Sequence, residues 1–539
     1  MSGLAGSGEL STHRVENQPE PRVPELWQSD PVLRHALDFA GADPAPVAAF
    51  ARAIGGAEMA EAARDANRVS PELRLFDRGG RRLDEVHFHP AYHRLMETGI
   101  AAGYSAIAWE GVPGGHAAHA AMVYLMSQVE PGVCCPMTMT YAAVPALRAE
   151  PSLEALWRPK LLSRRYDPAV APLAAKAGAT MGMAMTEKQG GSDVRANTTR
   201  AEPDGEAWRL TGHKWFCSAP MSDGFLTLAQ APGGLTCFLV PRWLEGGRNA
   251  IRLMRLKDKL GNRANASAEI EYEGALAFRL GEEGAGVRTI IEMVHHTRLD
   301  TAMAPAGLMR AALAEAHWWV SRRTAFQRRL IDQPLMRAVL ADLALDWAAA
   351  LMLGMRVARA FDGSGTEDRA FARIGVALAK FASNKAAPGV IYEAMEALGG
   401  MGYVEDTPLP MLFRESPLNS IWEGSGNVIC LDILRSLARE PLTAEVLAAE
   451  LEAARGADHR YDAALEAWRA RWTGLPAEAE ARAFAERTAA LLAASVLLRA
   501  GPAPLAEGFV QARLAGDAGR VAGTVRGLDA GAILPYLGQ

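Results

Sequence analysis

The chain has 539 residues, of which 49% are apolar and 22% are charged, and at roughly 150 residues per domain this length predicts three or four domains. The 57 basic and 62 acidic side chains leave a net charge of −5, which excludes a uniformly basic nucleic-acid coat protein and a highly charged disordered chain. Any site for a polyanion must therefore be local.

The cysteines and the N-terminal stretch indicate the compartment. Five cysteines form an odd, sparse set without metal-ligand spacing, so we expect a reducing compartment and no metal site. The first residues lack an apolar signal core, which predicts a cytoplasmic protein that is not exported. Residues 111–129 and 131–147 carry no charge, but they contain proline, glycine and polar groups, and we interpret them as buried helices rather than membrane spans.

The first third of the chain predicts an extended arm followed by a helical domain. Residues 1–30 are rich in proline and form the expected arm. Residues 31–178 are rich in alanine, with apolar positions at helical spacing in stretches such as HPAYHRLMETGIAAGYSAIAW. The preceding stretch ELRLFDRGGRRLDEVHFHP is assigned to the same helical zone.

The remaining chain predicts a β domain and then two helical domains. Residues 179–287 contain short alternating or β-rich runs such as WRLTGHKWFCSA and SAEIEYEGA, which predict an antiparallel sheet or a small barrel. Helical periodicity returns over residues 288–440, in segments long enough for a bundle, and continues in an Ala-rich extension over residues 441–539. The expected fold class is α+β, mostly α.

Two segments of the β zone carry groups suited to holding a cofactor. The stretch MGMAMTEKQGGSDV offers the hydroxyls of Thr186 and Ser192, and its Gly191 lets backbone amides approach a ligand closely. The stretch HKWFCSA places Phe216 two positions before Ser218 on a predicted strand. By composition alone, the favoured interpretation of the first stretch is an ordinary polar loop, and that of its methionines is ordinary core.

These two segments resemble the flavin-contacting segments of the acyl-CoA dehydrogenase superfamily. Three further segments agree in order and spacing: RTAF from residue 323 followed by Gln333, LGGMGY from residue 398, and IWEGSGN from residue 421. The likeness is closer still to the AidB-like branch, flavoproteins of the bacterial adaptive response to DNA alkylation, through RLKDKLGNRANAS, NSIWEGSGNVICLDILR and the extension beyond residue 440. It covers nearly the whole chain and implies an acyl-CoA dehydrogenase-like fold, with a four-helix bundle after the β domain and an AidB-type helical extension.

The resemblance implies that Glu423 is the catalytic base. Acyl-CoA dehydrogenases remove the α-proton of a thioester with a carboxylate while a hydride passes to flavin, and an apolar site raises the pKa of such a carboxylate. On the residues alone, the favoured interpretation of Glu423 is a solvated glutamate near a turn. Some family members carry the base on the helix after the β domain, but the corresponding stretch here, from His296 to Leu299, offers no carboxylate.

The resemblance also implies FAD and the residues that hold it. The residues expected near the isoalloxazine ring, with Ser218 close to N5, are Met185, Thr186, Gly191, Ser192, Phe216 and Ser218. The residues expected near the rest of the dinucleotide are Arg323, Gln333, Gly399, Gly400, Ser425 and Asn427. Arg323 and Gln333 are expected to reach the FAD of a neighbouring subunit, which implies a homo-oligomer, most often a homotetramer in this family.

The AidB-like branch also implies double-stranded DNA as a partner, bound through the C-terminal helical region. Residues 440–539 contain ten arginines and thirteen acidic residues, so the bulk charge of this region does not support the role. A local patch would require that the arginines share a face, the candidates being Arg455, Arg460, Arg469 and Arg471. Solvated helix faces are the alternative.

A more basic stretch lies in the β zone. Residues 248–263 carry six basic side chains against one acid. Arg255, Lys257 and Lys259 alternate, so on a strand they would point to one side and suit the phosphates of DNA or of CoA. A solvated strand face is an equal alternative.

Three hypotheses follow. The first, which we adopt, is an AidB-like FAD protein of the adaptive response to DNA alkylation, with DNA association and residual acyl-CoA dehydrogenase activity. The alternative is an active short- or branched-chain acyl-CoA dehydrogenase, similar to an isovaleryl-CoA dehydrogenase, with no nucleic-acid role. The third is a flavin-dependent assembly that has lost catalysis. Glu423 favours chemistry over the third hypothesis, the C-terminal extension favours the first, and the acidic balance of that extension favours the second.

Overall fold

The computed structural model describes residue 12 and residues 14–516 and 518–538, so part of the predicted arm lies outside the described residues. The architecture is α+β and mostly α, which confirms the expected fold class. Helical regions lie on both sides of the central sheet in the sequence.

The N-terminal region is mainly helical. Its helices are α1 (Pro31–Ala40), α2 (Pro44–Ile54), α3 (Ala57–Arg68), α4 (Pro90–Ala102), α5 (Gly115–Met126), α6 (Cys134–Leu147) and α7 (Pro151–Leu161). Local chemistry sets the ends of α1, because the Asp30 side chain accepts a hydrogen bond from the Leu33 amide at 2.9 Å and Gly41 closes the helix with φ 72°. Every residue of α5 and α6 is buried, which confirms the interpretation of the two uncharged stretches as core helices.

A β-hairpin interrupts this helical region. Its strands are β1 (Glu72–Phe76) and β2 (Arg82–His87), so the expectation that ELRLFDRGGRRLDEVHFHP is helical is wrong. The turn is organised by Asp77, whose Oδ1 accepts hydrogen bonds from the amides of Gly79 and Arg81 at 2.8 and 2.9 Å. Its apolar positions alternate, and this two-residue period matches a strand rather than a helix.

The central region is a sheet that closes into a barrel. Its strands are β3 (Met181–Ala184), β4 (Arg200–Asp204), β5 (Ala207–Ser218), β6 (Gly224–Ala231), β7 (Gly234–Pro241), β10 (Ile251–Leu256) and β11 (Ser267–Leu280), beside a small pair, β8 (Trp243–Leu244) and β9 (Gly247–Arg248). β11 pairs first with β5 and then with β7, and β6 joins β7 to β4, so the ring is closed. Of the two predicted alternatives, the closed ring is the small barrel; most of its pairings are antiparallel, and those of β6 with β3 and β4 are parallel.

Long helices follow the barrel. They are α8 (Gly286–Val320), α9 (Pro334–Asp362), α10 (Thr366–Ala397) and α12 (Gly426–Arg439), with a small hairpin of β12 (Thr324–Ala325) and β13 (Arg328–Arg329) and a short helix α11 (Leu409–Glu415) between them. α10 packs against α8, α9 and α12. Among the described residues, α9 alone is long and apolar enough to cross a membrane, but 78% of its most apolar window is buried in this bundle.

The C-terminal extension is fused to the bundle. Its helices are α13 (Pro441–Glu452), α14 (His459–Arg471), α15 (Ala481–Ala500), α16 (Ala503–Arg513) and α17 (Ala530–Ile533). α15 packs on α9, α10 and α12, and one continuous hydrophobic core runs from the N-terminal helices through the bundle into the extension. The domain boundaries drawn from the sequence stay predictions.

Candidate active site

The segment after β3 is held in place by a buried ion pair. Glu187 Oε1 accepts a hydrogen bond from Lys214 Nζ on β5 at 2.7 Å, and both side chains are fully buried. The Thr199 hydroxyl donates to the same oxygen at 2.6 Å, and the Thr198 amide donates to Oε2 at 2.7 Å. Burial opposes the charge of Glu187, but Lys214 and these donors outweigh it and lower the pKa of Glu187 to about 2.

This anchor presents Thr186 next to β5. The Trp215 amide donates to the Thr186 carbonyl at 2.8 Å, which brings the predicted residues Phe216 and Ser218 alongside Thr186. A Cβ on Gly191 would lie 2.5 Å from the Thr186 hydroxyl oxygen, so only glycine fits against that hydroxyl. Met185 and Ser192, the other predicted members of this segment, flank these residues in the chain.

Phe216 is an unusual surface residue. Its side chain is 45% exposed although it belongs to a central strand of the barrel. Lys257 Nζ lies 4.7 Å from the centre of its ring and 3.4 Å from the centre of the Trp215 ring. The exposed ring of Phe216, beside the Lys257 amine and near the Ser218 hydroxyl, is suited to stack against a flat anionic ligand.

Glu423 occupies a turn before α12 in a conformation that costs free energy. Its backbone has φ 56°, in the left-handed region that residues other than glycine rarely adopt. Two cationic side chains hold this turn: Arg298 Nε donates to the Glu423 carbonyl at 3.1 Å, and Lys380 Nζ donates to the Gly424 carbonyl at 2.9 Å. Arg298 is itself fixed by Asp432, with Nη1 and Oδ2 2.6 Å apart. Backbone strain held by such contacts is common at functional sites and costs about 1–3 kcal/mol.

The carboxyl group of Glu423 is poorly satisfied. Its Oε2 atom is buried and has no hydrogen-bond partner in the described part of the chain, although the residue as a whole is only half-buried. Burial raises the pKa of Glu423, while the Thr297 hydroxyl, Arg298 and Lys380 act in the opposite direction. A carboxyl group with an open oxygen and a raised pKa is suited to accept a proton.

Cys135 on α6 lies between the Ser218 end of β5 and the Glu423 turn. Its thiol contacts the Ser218 hydroxyl and interacts electrostatically with Glu423, and burial raises the pKa of the thiol to about 12. Thr186, Phe216, Ser218 and Glu423 therefore surround one region at the junction of α6, the barrel and the start of α12. No pattern in the residues around Cys135 indicates this contribution.

The start of α12 is a second polar centre. The predicted residues Ser425 and Asn427 flank Gly426, the first residue of α12. A Cβ on Gly426 would lie 3.2 Å from Lys385 Nζ and 3.3 Å from Arg482 Nη1, so both cations lie over this helix terminus. Arg482 belongs to the C-terminal extension and donates to Asn427 Oδ1 at 2.9 Å. Sequence reasoning missed both cations, because no local pattern ties residues so distant in the chain to this helix terminus.

Gly399 and Gly400 lie in an exposed turn that follows α10. Gly399 has φ 60°, and a Cβ on either glycine would meet no atom within 4 Å. Tyr403, at the end of the same turn, is 83% exposed. The turn therefore leaves room for a ligand or another chain.

Arg323 and Gln333 lie apart from Glu423, beside the β12–β13 hairpin. Arg323 Nη1 donates to the Asn17 carbonyl at 2.5 Å, and Asn17 also exchanges two side-chain hydrogen bonds of 2.7 Å with the backbone of Thr324. Gln333 Nε2 donates to the Ala325 carbonyl at 3.1 Å. Within the described ranges, no hydrogen bond or ring contact joins these residues to Thr186 or Glu423.

The structure only partly forms the basic strand face considered from the sequence. β10 ends at Leu256, so Lys257 and Lys259 lie beyond the strand. Arg255 and Lys257 both pair with Glu269 on β11, at 2.6 and 2.5 Å, and Lys259 is largely buried with its Nζ donating to the Asn265 carbonyl at 2.6 Å. Arg255 and Lys257 therefore share one face, since both contact Glu269 and the Trp215 ring, but Glu269 offsets their charge and Lys259 does not join them.

The arginines of the extension are also paired. Arg455 and Arg469 contact Glu452 and Glu466. Arg460 lies 2.5 Å from Asp458, and Arg471 lies 2.9 Å from Glu480. Each of these arginines thus has an acidic partner, which reduces the charge available to a phosphate backbone.

Three family models match the chain. The one described as "Adaptive response protein AidB N-terminal domain" matches residues 17–168, "Acyl-CoA dehydrogenase, middle domain" matches residues 182–275, and "Acyl-CoA dehydrogenase, C-terminal domain" matches residues 284–438. These matches include the Thr186 segment, the barrel and Glu423.

Whole-length relatives agree with these matches. The chain is 44% identical to "Putative acyl-CoA dehydrogenase AidB" of Escherichia coli (strain K12) over 513 residues, which are 93% of this chain and 94% of the relative. Its fold is similar to that of the apo form of Bd2924, with a TM-score of 0.82 and 28% identity over 90% of this chain and 99% of the other. It is also similar to Caenorhabditis elegans ACDH-11 in complex with C11-CoA, with a TM-score of 0.81 and 27% identity over 99% of this chain and 93% of the other.

Proposed function

Since the chain belongs to the acyl-CoA dehydrogenase family, as a relative of AidB, and is an FAD-dependent oxidoreductase acting on CH–CH bonds, we propose that Glu423 is its catalytic base. The observation that carries this assignment is the buried, unpartnered Oε2 atom on a strained turn. The raised pKa of the carboxyl group means that protonation of Glu423 by substrate is less unfavourable than for an exposed glutamate.

The residues of the turn give Glu423 its role in the reaction. When bound, FAD supplies the acceptor for the hydride that leaves the β-carbon of the acyl thioester. Glu423 takes the α-proton, while Arg298 and Lys380 fix the backbone carbonyls on each side of it. Burial lowers the pKa of Lys380 to about 7, so this amine carries less charge at neutral pH than an exposed lysine.

The chain fits FAD at the ring end. The exposed face of Phe216 is suited to stacking, Ser218 shares its face of β5, and a backbone hydrogen bond holds Thr186 beside the same strand. Our proposal assigns the ring to the predicted set of Met185, Thr186, Gly191, Ser192, Phe216 and Ser218. The close fit of Gly191 on the Thr186 hydroxyl supports this placement.

The chain also fits the diphosphate end. A helix N-terminus with nearby cations favours a phosphate, and Lys385 and Arg482 lie over the start of α12 beside Ser425 and Asn427. We assign the diphosphate to these four groups. This assignment gives the C-terminal extension a direct part in cofactor binding, through Arg482.

A homotetramer that shares its cofactor across an interface accounts for the remaining predicted residues. In this proposal, Arg323, Gln333, Gly399 and Gly400 serve the FAD of a neighbouring subunit. Support comes from large apolar side chains left exposed near them, including Phe326 at 84% and Leu335 at 82%. Sedimentation equilibrium of the FAD-loaded protein tests this proposal, and a monomer would overturn it.

Anaerobic titration with isovaleryl-CoA, followed by flavin absorbance, tests the proposed activity. Prompt bleaching of the flavin at one equivalent supports a working dehydrogenase for short or branched acyl chains. A bound flavin that never bleaches with this substrate or with longer acyl-CoA esters overturns the activity.

A role in the adaptive response to alkylation, with DNA association, is the physiological part of the proposal. Its support is the match of residues 17–168 and the similarity to the E. coli protein over nearly the whole chain. The paired arginines of the extension and the Glu269 pairs favour the second candidate, a dehydrogenase with no nucleic-acid role. Fluorescence anisotropy with duplex DNA separates the two, because phosphate binding must weaken steeply with salt, and no binding at low salt removes the DNA role.

We also propose a cytoplasmic location. The five cysteines are free thiols, as is typical of a reducing compartment. Cell fractionation with an antibody to the protein tests the location, and recovery outside the cytoplasmic fraction would overturn it.

A further inference from the structure

A cluster of aromatic and imidazole rings lies in the helical core and has no part in the mechanism above. We call it the imidazole cluster and define it by His116 and His119 on α5, Tyr141 on α6, His296 on α8 and Trp109. The ring centres of His116 and His296 are 5.7 Å apart, and Trp109 lies 4.8 and 5.3 Å from these two rings. His119 stacks on Tyr141 with their ring centres 3.6 Å apart.

The imidazole cluster is close to the reacting centre. His296 directly precedes Thr297, whose hydroxyl contacts the Glu423 carboxyl group. On α6, Cys135 contacts Ser218, and Tyr141 follows it at a helical distance of about 9 Å. The cluster therefore lies within about two helical turns of the groups assigned to substrate and flavin.

His119 is fully engaged and anchors the cluster. Its Nδ1 donates to the Tyr104 carbonyl at 2.7 Å, and its Nε2 lies 2.8 Å from Asp300 Oδ1. The Thr138 hydroxyl donates to the other oxygen of Asp300 at 2.5 Å. Both ring nitrogens of His119 face acceptors, so this residue offers nothing to a ligand.

His296 presents a bare acceptor. Its Nδ1 lies 2.8 Å from the Glu292 carbonyl, which can only accept, so the proton is on Nδ1. Burial lowers the pKa of His296 to about 4, and the ring is neutral at pH 7. Its Nε2 lone pair has no hydrogen-bond partner among the residues that the structure describes.

His116 presents a donor. Its Nδ1 lies 2.7 Å from the Tyr141 hydroxyl, which is fully buried and has no other hydrogen-bond partner in the described chain. The phenol therefore donates to Nδ1, since the reverse arrangement would leave its proton unpaired, and the proton of the neutral His116 ring is on Nε2. His116 and His296 keep 7% and 9% exposure inside the core, which indicates an interior space at these rings.

We propose that this space receives the distal part of the acyl chain and that His116 and His296 recognise a hydroxyl group carried on it. One hydroxyl satisfies both rings, because its oxygen accepts from His116 Nε2 and its proton goes to His296 Nε2. Trp109 and Phe361 form apolar walls for the adjoining methylene groups. A carboxylate would instead face the lone pair of His296. This inference rests on the proposed acyl-CoA function and specifies the substrate class as hydroxyacyl thioesters.

The test compares the binding of hydroxylated and plain acyl-CoA esters to the FAD-loaded protein by isothermal titration calorimetry. The probes are saturated acyl-CoA esters of one chain length, each with a single hydroxyl at a different carbon, beside the unsubstituted ester. We expect one hydroxyl position to bind about tenfold more tightly than the plain ester, as two modest hydrogen bonds allow. An advantage at no position would overturn the inference without any variant being made.

Two variants make the test specific. His296→Phe should abolish the hydroxyl advantage while the plain ester still binds, and His295→Phe is the matched control because it removes the neighbouring imidazole of α8 and should keep the advantage. Retention of the advantage in His296→Phe would contradict the inference. Calorimetry reads binding even where flavin is not reduced, so failure of the dehydrogenase activity and failure of hydroxyl recognition are distinguished.

Discussion

The buried pair of Glu187 and Lys214 should control both the stability of the barrel and the affinity for FAD. We consider Lys214→Met, which keeps the length of the side chain and removes the charge. The Glu187 carboxylate would then stay buried with its hydroxyl and amide donors but without a cation. Loss of one partner from a buried pair costs about 3–5 kcal/mol, and we expect a fall of about 3 kcal/mol in the free energy of unfolding.

The pKa of Glu187 gives a similar magnitude. A carboxyl group whose pKa falls from 4.5 to about 2 on folding contributes about 3 kcal/mol at neutral pH, since one pH unit corresponds to about 1.4 kcal/mol. Because the folded pKa is the lower one, this contribution is present above about pH 4.5 and is lost as the pH falls toward 2. The difference between wild type and Lys214→Met should therefore be largest at neutral pH and shrink in acid.

Urea unfolding, followed by circular dichroism across this pH range, measures the effect, with FAD affinity measured in parallel. Glu187→Gln combined with Lys214→Met is the matched control, because removal of both charges leaves no isolated ion and should recover most of the lost stability. A loss below about 1 kcal/mol in the single variant, or a double variant no more stable than the single one, would refute the reasoning.

Three further predictions concern residues outside the motifs. Arg482→Ala should weaken FAD binding about tenfold, as loss of one charge-assisted phosphate contact does, while Arg487→Ala on the same helix should not; equal affinities in a fluorescence titration would contradict this. Asn17→Ala should speed the dissociation of FAD and loosen the β12–β13 hairpin, which is measured as faster amide hydrogen exchange at Thr324. Unchanged exchange would exclude a role of Asn17 in positioning this hairpin. Arg298→Gln should leave FAD bound but slow flavin reduction by at least tenfold in stopped-flow absorbance. The reason is that the Glu423 turn loses its hydrogen bond from Arg298, which Asp432 holds in position. An unchanged rate would show that Arg298 does not support the turn.

The helical and β zones were predictable because residue periodicity reports local geometry. The hairpin at β1 and β2 was missed although Gly79 and Gly80 mark its turn, since the alanine-rich helices around it dominated the pattern. The same limit applied to the basic stretch. The spacing of Arg255 and Lys257 shows that they alternate. It does not show that Glu269, on the neighbouring strand β11, contacts both of them.

The candidate site likewise contains residues that the sequence identified and residues that it did not. Glu423, Thr186 and Ser218 were identified through a family resemblance, since the residues alone are equally ordinary loop and turn residues. Arg298 and Arg482 were not predicted, because they reach the site from distant helices and nothing in their neighbouring residues indicates a ligand. Contacts between distant segments depend on packing, which a single sequence does not reveal.

Hydrogen exchange at the α-carbon of the substrate tests the central role of Glu423 most directly. The protein, with its flavin already reduced by dithionite to block net turnover, is incubated with isovaleryl-CoA in deuterated buffer, and deuterium at the α-carbon is measured by mass spectrometry. If Glu423 is the base, wild type should incorporate deuterium and Glu423→Gln should do so at least about 100-fold more slowly, with FAD retained in both. Equal incorporation in the two proteins would contradict the account.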